Sequence, residues 1–176
     1  MKNIILISGK ARSGKDTVAR ILESKLSNTL ITPLADYVKF VCQKYFGWNG
    51  IKDKNGREIL QKIGTDIIRK ENPDFWTIII SELHFALRNE FDYFIVSDNR
   101  FPNEIEQEKI IFGNKVITLK IERPNYKSIL TEEQKNHISE IALDDFEFDY
   151  IIINDGTIED LEKKVEIFIE RFIKDD

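Results

Sequence analysis

The feature that most constrains the fold is a short apolar segment followed at once by a glycine-containing loop and an amphipathic helix. Residues 3–8 read NIILIS, a continuous apolar run typical of a strand that is covered on both faces. The loop GKARSGKDT follows at residues 9–17, and apolar residues at helical spacing predict a helix from Gly14 onward. A strand, a tight loop and a helix in this order are typical of a parallel α/β sheet.

The rest of the chain repeats this alternation of strand and helix. Further strands are predicted at residues 29–33, 93–97, 115–121 and 150–153. Helices are predicted around residues 37–45, over 57–70, 75–89 and 102–112, and after Thr157, which has the character of an N-cap. Residues 47–56 hold three glycines and two asparagines and are predicted to form a loop. We therefore expect a three-layer α/β fold with a five-stranded, mostly parallel sheet flanked by helices.

Composition limits the classes of function. A chain of 176 residues with 41% hydrophobic and 32% charged residues fits one soluble globular domain. The net charge of −5 gives no electrostatic case for nucleic acid or a membrane as partner. A single cysteine, Cys42, excludes an internal disulfide and favours a core position and a cytoplasmic location. No coiled-coil seam stands out, so monomer and homodimer both stay open.

The loop at residues 9–17 matches a phosphate-binding loop in all but one position. Gly9, Gly14 and Lys15 have the spacing of G-x-x-x-x-G-K-[ST], but Asp16 replaces the hydroxyl that binds Mg²⁺. The alternative is an ordinary glycine-containing turn. The strand–loop–helix context favours a phosphate site, in which N–H groups converge on phosphate oxygens and Asp16 takes the Mg²⁺ position. The predicted phosphate-binding residues are Gly9, Lys10, Ala11, Arg12, Ser13, Gly14, Lys15, Asp16 and Thr17.

A second candidate lies where the third strand ends, in SDNRFPNE at residues 97–104. Ligands of parallel sheets bind outside the carboxyl ends of the strands, so functional residues are expected at this position. Asp98 is placed to hold Mg²⁺ directly or through water, and Arg100 could bind a phosphate with its fork of donors. The alternative is a surface Asp–Arg pair in a turn.

A third candidate follows the second strand. Asp36 and Lys39 come just past the strand end, and Arg57, Gln61 and Thr65 share one helical face at i+4 spacing. With Arg69, this face could bind a phosphate and a base edge, since arginine suits phosphates and amides suit bases. The alternative is a solvated helix face.

The last candidates lie around the fourth and fifth strands. Residues 123–136 are charged and irregular, and with Arg123 and Glu140 they could close over phosphates as a lid. His137 is expected to be structural rather than a general base. Asn154, Gly156 and Thr157 follow the fifth strand, where an adenine would lie. The alternative is that they form only a turn and a helix cap.

These stretches together resemble the deoxynucleoside monophosphate kinase family. The matching segments are GKARSGKDTVA, LADYVK, GREILQKIGTDIIRKENPDFW, VSDNRFPNEIE and HISEIALDDFEFDYIIINDGT, in the expected order. The resemblance implies a P-loop kinase fold over residues 1–176, with ATP and Mg²⁺, a monophosphate-binding insertion at about 34–90 and a short lid at about 123–140. A second resemblance is to animal-type phosphomevalonate kinase, but the GTDxxR and NRFPNE segments favour the nucleotide kinase.

The resemblance implies direct transfer of the γ-phosphoryl of ATP to a nucleoside monophosphate, without a strong general base. Lys15, Asp98, Arg100 and Arg123 would serve catalysis, and residues 57–76 would bind the acceptor. The predicted acceptor-side residues are Asp36, Lys39, Arg57, Gln61, Thr65, Arg69, Trp76, Arg100 and Glu140. The alternatives are phosphomevalonate kinase and an ATP-binding regulator that transfers no phosphate. The identity of the base is left open.

Overall fold

The computed structural model describes residues 1–173, and its centre is a five-stranded sheet in which every strand pair is parallel. The last three residues of the predicted domain, 174–176, lie outside this range. The strands are β1 (Asn3–Ser8), β2 (Thr29–Ile31), β3 (Tyr93–Asn99), β4 (Val116–Glu122) and β5 (Tyr150–Ile153). Their order across the sheet is β2-β3-β1-β4-β5. The expected α/β sheet is confirmed, and it is wholly rather than mostly parallel.

Helices connect these strands and cover both faces of the sheet. They are α1 (Lys15–Lys25), α2 (Leu34–Tyr45), α3 (Lys54–Gln61), α4 (Phe75–Leu87), α5 (Pro102–Phe112), α6 (Glu132–Lys135), α7 (Ile138–Ile141) and α8 (Ile158–Phe172). A π-helical segment (Lys62–Arg69) continues α3, and one 3₁₀ turn (Gly113–Lys115) precedes β4. Within residues 1–173, no helix combines the length and hydropathy that a membrane crossing needs.

Strand β1 is buried on both faces, as its continuous apolar sequence predicts. Ile5 and Ile7 pack with α1 and α8 on one face, whereas Ile4 and Leu6 pack with α2, α4 and α5 on the other. None of these four side chains is more than 1% exposed. Successive side chains of a strand point to opposite faces, so one strand anchors both helical layers. The three-layer prediction is therefore confirmed.

The register of the central strands brings the predicted site segments to one edge. Ser8, the last residue of β1, pairs with Asn99 of β3 and with Lys120 of β4. The residues that follow these three strands, including Gly9 and Arg123, therefore start from the same end of the sheet. This is the carboxyl edge, where ligands of such sheets bind.

Several element bounds differ from the expectation. Helix α3 begins at Lys54, within the predicted loop, because the Asp53 side chain caps it by accepting a hydrogen bond from Gly56 N at 2.8 Å. Gly56 is required there, since a Cβ would lie 2.0 Å from Ile51 O. Strand β3 continues through Asp98 to Asn99. The stretch predicted to be irregular, residues 123–136, contains the short helix α6, and α7 follows it. Thr157 caps α8 as predicted.

Candidate functional site

The loop after β1 has the backbone geometry that its glycines allow. Gly9 and Gly14 adopt φ angles of 147° and 108°, and Arg12 between them has a φ of 61°. A Cβ on Gly9 would lie 2.4 Å from the carbonyl oxygen of Ile121, and one on Gly14 would lie 2.6 Å from Nδ2 of Asn154. Both glycines are thus required by backbone angle and by close approach of neighbours.

The ammonium of Lys15 lies over this loop. Its side chain is 7% exposed, and Nζ donates to the carbonyl oxygens of Gly9 and Lys10 at 2.8 and 2.9 Å. Burial, followed by the charge of Arg100, lowers the pKa of Lys15 from 10.5 to about 7. Ser13 Oγ in the same loop is buried with no hydrogen-bond partner among residues 1–173. The loop therefore contains a buried lysine that is held by two of its carbonyl oxygens, and a buried hydroxyl without a partner.

Asp98 connects the end of β3 with the start of α2. Its two carboxylate oxygens accept hydrogen bonds from Leu34 N and Ala35 N, both at 2.8 Å. A carboxylate at a helix N-terminus is favourable because it meets unpaired N–H groups and the positive end of the helix dipole. Burial nevertheless raises the pKa of Asp98, against these hydrogen bonds. Asp98 thus has a structural role that the sequence did not indicate.

The predicted metal ligands fit Mg²⁺ in chemical type. Asp16 is exposed in the first turn of α1, and it lines the same cavity as Asp98. No group of three or more His, Cys, Asp or Glu side chains in residues 1–173 could hold a metal by itself. Mg²⁺ is usually held by one or two carboxylates together with phosphate oxygens and water. The two aspartates match that pattern, and their role as ligands stays a prediction.

All nine predicted acceptor-side residues line one cavity of about 870 Å³. The cavity extends from Lys15 and Asp16 past Asp98 to the helices that follow β2. Its predicted members are Asp36, Lys39, Arg57, Gln61, Thr65, Arg69, Trp76, Arg100 and Glu140. The indole N–H of Trp76 is already used, since it donates to Gly64 O at 2.9 Å. These residues lie far apart in the sequence, with 104 positions between Asp36 and Glu140, and the fold brings them to one cavity.

Lys52 also lines this cavity, although no pattern in the sequence predicted it. It lies in the loop before α3, where glycine and asparagine gave no functional signal. Burial, followed by the charge of Lys39, lowers the pKa of Lys52, and Arg57 acts in the same direction. Lys39 in turn contacts the Asp36 carboxylate at 2.5 Å. One wall of the cavity is therefore a cluster of three cations.

Arg69 is paired in a way that the sequence did not show. It forms an ion pair with Glu104, and its Nη1 donates to Pro73 O at 3.1 Å. The guanidinium carbon lies 4.2 Å from the centre of the Phe101 ring. Burial raises the pKa of Glu104, and the charge of Arg69 opposes this shift. Arg69 thus reaches the cavity with its orientation fixed by three neighbours.

The predicted lid contacts the phosphate loop. Arg123 Nη1 donates to Arg12 O at 3.5 Å, and its guanidinium carbon lies 5.0 Å from the centre of the Tyr126 ring. His137 accepts a hydrogen bond from Ser139 N at 3.2 Å and so caps α7, in agreement with the structural role expected for it. Its Nε2 contacts Asp66 Oδ1 at 3.2 Å, which joins this segment to the π-helical segment.

A second cavity, of about 550 Å³, lies between the loop, the end of β4 and the predicted lid. Neither cavity is lined by Asn154, Gly156 or Thr157. Asn154 Nδ2 donates to Ser13 O at 2.8 Å and so contacts the phosphate loop. Thr157 caps α8 through Asp160 N at 3.2 Å. The structure therefore brings Asn154 to the loop and leaves the other two in a helix cap.

Known proteins with similar sequences are kinases. Residues 48–165 match the family model of deoxynucleotide monophosphate kinases. The deoxynucleotide monophosphate kinase of Escherichia phage RB69 is 27% identical over 112 residues, 62% of this chain and 43% of the phage protein. That of Enterobacteria phage T4 is 30% identical over 120 residues, 66% and 46% of the two chains. The chain thus spans less than half the length of these phage relatives.

Three further proteins match nearly the whole chain. Phosphomevalonate kinase of Drosophila melanogaster is 27% identical over 188 residues, 97% of each chain. Among solved structures, a sugar kinase from Janibacter sp. HTCC2649 has a TM-score of 0.59 at 14% identity, over 97% of this chain and 95% of its own. Thymidylate kinase from Candida albicans has a TM-score of 0.52 at 15% identity, over 96% and 91%. At such identities the structures show a shared kinase fold.

Proposed function

The chain belongs to the deoxynucleotide monophosphate kinase family, and on this premise we propose that it transfers the γ-phosphoryl of ATP to a deoxynucleoside monophosphate. The observation that carries the proposal is the cavity of about 870 Å³, which begins at the phosphate loop and is lined by acceptor-side cations. A regulator that only binds ATP has no need of a second cationic phosphate site. We further propose residues 34–90 as the acceptor-binding part and residues 123–140 as the lid.

Each part of the site has a role in this reaction. Lys15 and the loop N–H groups hold the phosphates of ATP, whose negative charge favours the ammonium form of Lys15. Arg69 and Arg100 align the acceptor phosphate for in-line attack. That phosphate is already anionic, so no strong general base is required. Arg123 neutralises charge from the lid side, and Asn154 lies toward the adenine side of the loop.

The proposal includes Mg²⁺ as cofactor. When bound, the ion supplies neutralisation of charge on the terminal phosphates of ATP. Asp16 and Asp98 would hold it, because both carboxylates line the cavity beside Lys15. The use of ATP and the single free cysteine, Cys42, support a cytoplasmic location as part of the same proposal.

Phosphomevalonate is a second candidate acceptor. The Drosophila phosphomevalonate kinase aligns over 97% of both chains, which favours phosphomevalonate as the acceptor. The acceptor cavity, however, offers the amide of Gln61 and the hydroxyl of Thr65 beside its cations. Amide and hydroxyl groups suit the hydrogen-bonding edge of a base, which phosphomevalonate lacks. We therefore rank the nucleotide first.

ADP release from ATP and Mg²⁺ tests the proposal. The assay compares dAMP, dGMP, dCMP, dTMP and phosphomevalonate as acceptors. We expect release that depends on one or more of the nucleotides, and loss of this release in Lys15→Ala. Lys25→Ala is the matched control, because Lys25 lies on the same helix and pairs with Glu166 at the surface. Release with phosphomevalonate alone, or ATP binding without acceptor-dependent release, would contradict the proposal.

A further inference from the structure

Glu104 is a buried carboxylate in the first turn of α5 that the mechanism above does not use. Its side chain is 3% exposed, and its two oxygens accept hydrogen bonds from four donors. Oε1 accepts from Arg69 Nη2, and Oε2 accepts from Asn99 Nδ2 at 2.8 Å, Arg100 N at 2.6 Å and Phe101 N at 3.0 Å. Glu104 is therefore the common acceptor of four donors, three of which converge on Oε2.

The donors come from separate parts of the candidate site. Arg69 ends the π-helical segment, on the acceptor side of the cavity. Arg100 follows β3 and also lines the cavity. Asn99 Oδ1 accepts a hydrogen bond from Ser8 Oγ at 3.0 Å, and Ser8 is the residue before the phosphate loop. One carboxylate therefore connects the acceptor helices, the end of β3 and the residue that precedes the phosphate loop.

The contacts of Glu104 also fix how Arg69 is presented. The Phe101 ring lies against one face of the guanidinium, Pro73 O accepts from Nη1 and Glu104 accepts from Nη2. A guanidinium has five N–H donors in a rigid plane, so it keeps donors for a ligand after two are used. The Arg69 side chain is 11% exposed and lines the cavity. Glu104, together with Phe101 and Pro73, therefore fixes the direction in which its remaining N–H donors point.

We propose that Glu104 is a positioning residue for the acceptor phosphate, which holds the Arg69 guanidinium and the Arg100 backbone in register with the phosphate loop. This inference rests on the proposed function. Without the carboxylate, Arg69 gains rotational freedom and the turn at residues 99–101 loses its common acceptor. Partners of this kind hold ligand-binding groups in place, and their loss impairs a site through the residues that they orient.

The test is a pair of matched substitutions, Glu104→Gln and Glu108→Gln. Glu108 lies one turn later on α5 and is equally buried, but its contacts are Ser81 Oγ at 3.1 Å and His84 Nδ1 at 2.9 Å. It does not line the cavity. We expect Glu104→Gln to raise the KM for the acceptor about tenfold or more and to lower kcat, with the KM for ATP within about twofold. Glu108→Gln should lower Tm and leave both KM values unchanged.

A double-mutant cycle separates positioning from a general structural role. Because Glu104 acts in part through Arg69, Glu104→Gln should raise the acceptor KM by a smaller factor once Arg69 has been changed to Ala. An unchanged acceptor KM in Glu104→Gln, an equal change in both KM values, or additive effects in the cycle would overturn the inference. A wild type without acceptor-dependent ADP release would instead contradict the proposed function.

Glu104→Asp decides the question if Glu104→Gln does not fold. It keeps the negative charge but shortens the side chain, so the carboxylate can no longer reach Arg69 and the turn at residues 99–101 together. We expect an acceptor KM about threefold higher than in wild type, with the KM for ATP unchanged. An unchanged acceptor KM in this folded variant would overturn the inference.

Discussion

The carboxylate of Glu140 lies 2.7 Å from the guanidinium of Arg100. Its second oxygen accepts a hydrogen bond from Ala11 N in the phosphate loop at 3.3 Å, and its carbonyl accepts from Lys10 Nζ at 2.6 Å. Lys10 also pairs with Asp144. The Glu140 carboxylate, which belongs to the predicted lid, therefore accepts hydrogen bonds from a loop N–H and an arginine. Phosphate oxygens require donors of the same kind.

We expect Glu140→Gln to bind ATP about fivefold more tightly, because it removes a negative charge next to the polyphosphate, equivalent to ~1 kcal/mol. Isothermal titration calorimetry with ATP and Mg²⁺ measures this. Asp145→Asn is the control, since Asp145 is exposed and lines neither cavity. Weaker or unchanged ATP binding in Glu140→Gln would show that its carboxylate does not compete with phosphate.

The lowered pKa of Lys15 predicts that the stability of the folded chain depends on pH. Its pKa is about 7 in the folded chain and 10.5 when exposed, because burial disfavours the ammonium form. Between these values the unfolded chain binds a proton that the folded chain lacks, so the free energy of unfolding rises with pH. Below pH 7 the full cost of burying the charge is present.

We therefore expect Lys15→Met to be more stable than wild type at pH 7 by several kcal/mol, with a difference that shrinks as the pH approaches about 10.5. Urea unfolding of both proteins across this range measures it. Titrating groups far from Lys15 are common to both proteins and cancel in the difference, and carboxylates such as those that interact with it ordinarily titrate well below this pH range. A difference that stays constant with pH would contradict the lowered pKa of Lys15.

Asp16 tests whether a carboxylate can replace the usual hydroxyl of the loop. It is exposed in the first turn of α1 and lines the cavity beside Lys15. We expect Asp16→Ser to keep Mg²⁺-dependent activity better than Asp16→Ala, because serine retains an oxygen ligand. The Mg²⁺ concentration that gives half-maximal activity should rise by about tenfold or more in Asp16→Ala. Equal Mg²⁺ dependence in all three proteins would make Asp16 a helix-start residue only.

Lys52 is expected to contribute to acceptor affinity. It lines the cavity together with Lys39 and Arg57, so it adds positive charge where the acceptor phosphate is proposed to bind. We expect Lys52→Ala to raise the acceptor KM about threefold to tenfold, an effect that decreases at high salt. Lys54→Ala is the control, since Lys54 is exposed and does not line the cavity. Equal effects of the two substitutions would place Lys52 outside the acceptor site.

Local patterns in the sequence predicted most of the elements. The run NIILIS predicted β1 because a strand buried on both faces has no polar alternation. Thr157 was predicted as an N-cap from its position before the last amphipathic helix. The start of α3 was missed because Gly56 signals a loop in the sequence. In the structure, contacts with Ile51 and Trp48 account for that glycine.

The candidate site was predicted in part. The i+4 spacing of Arg57, Gln61 and Thr65 placed them on one face, and that face lines the cavity. Lys52 and Glu104 were missed, since one lies in an irregular loop and the other resembles an ordinary first-turn glutamate. Glu104 ends the candidate segment SDNRFPNE, but its position on the helix predicts no role different from that of Glu108 one turn later, which contacts His84.

The sequence by itself determined the strand–loop–helix unit, the phosphate-loop glycines and the apolar faces, because these depend on backbone angles and on periods of two or about 3.6 residues. The tertiary structure decided which distant groups meet. Glu104 reaches Arg69 across 35 positions and Glu140 reaches Ala11 across 129. Such contacts depend on strand order, register and the path of each crossover, and no local period encodes them.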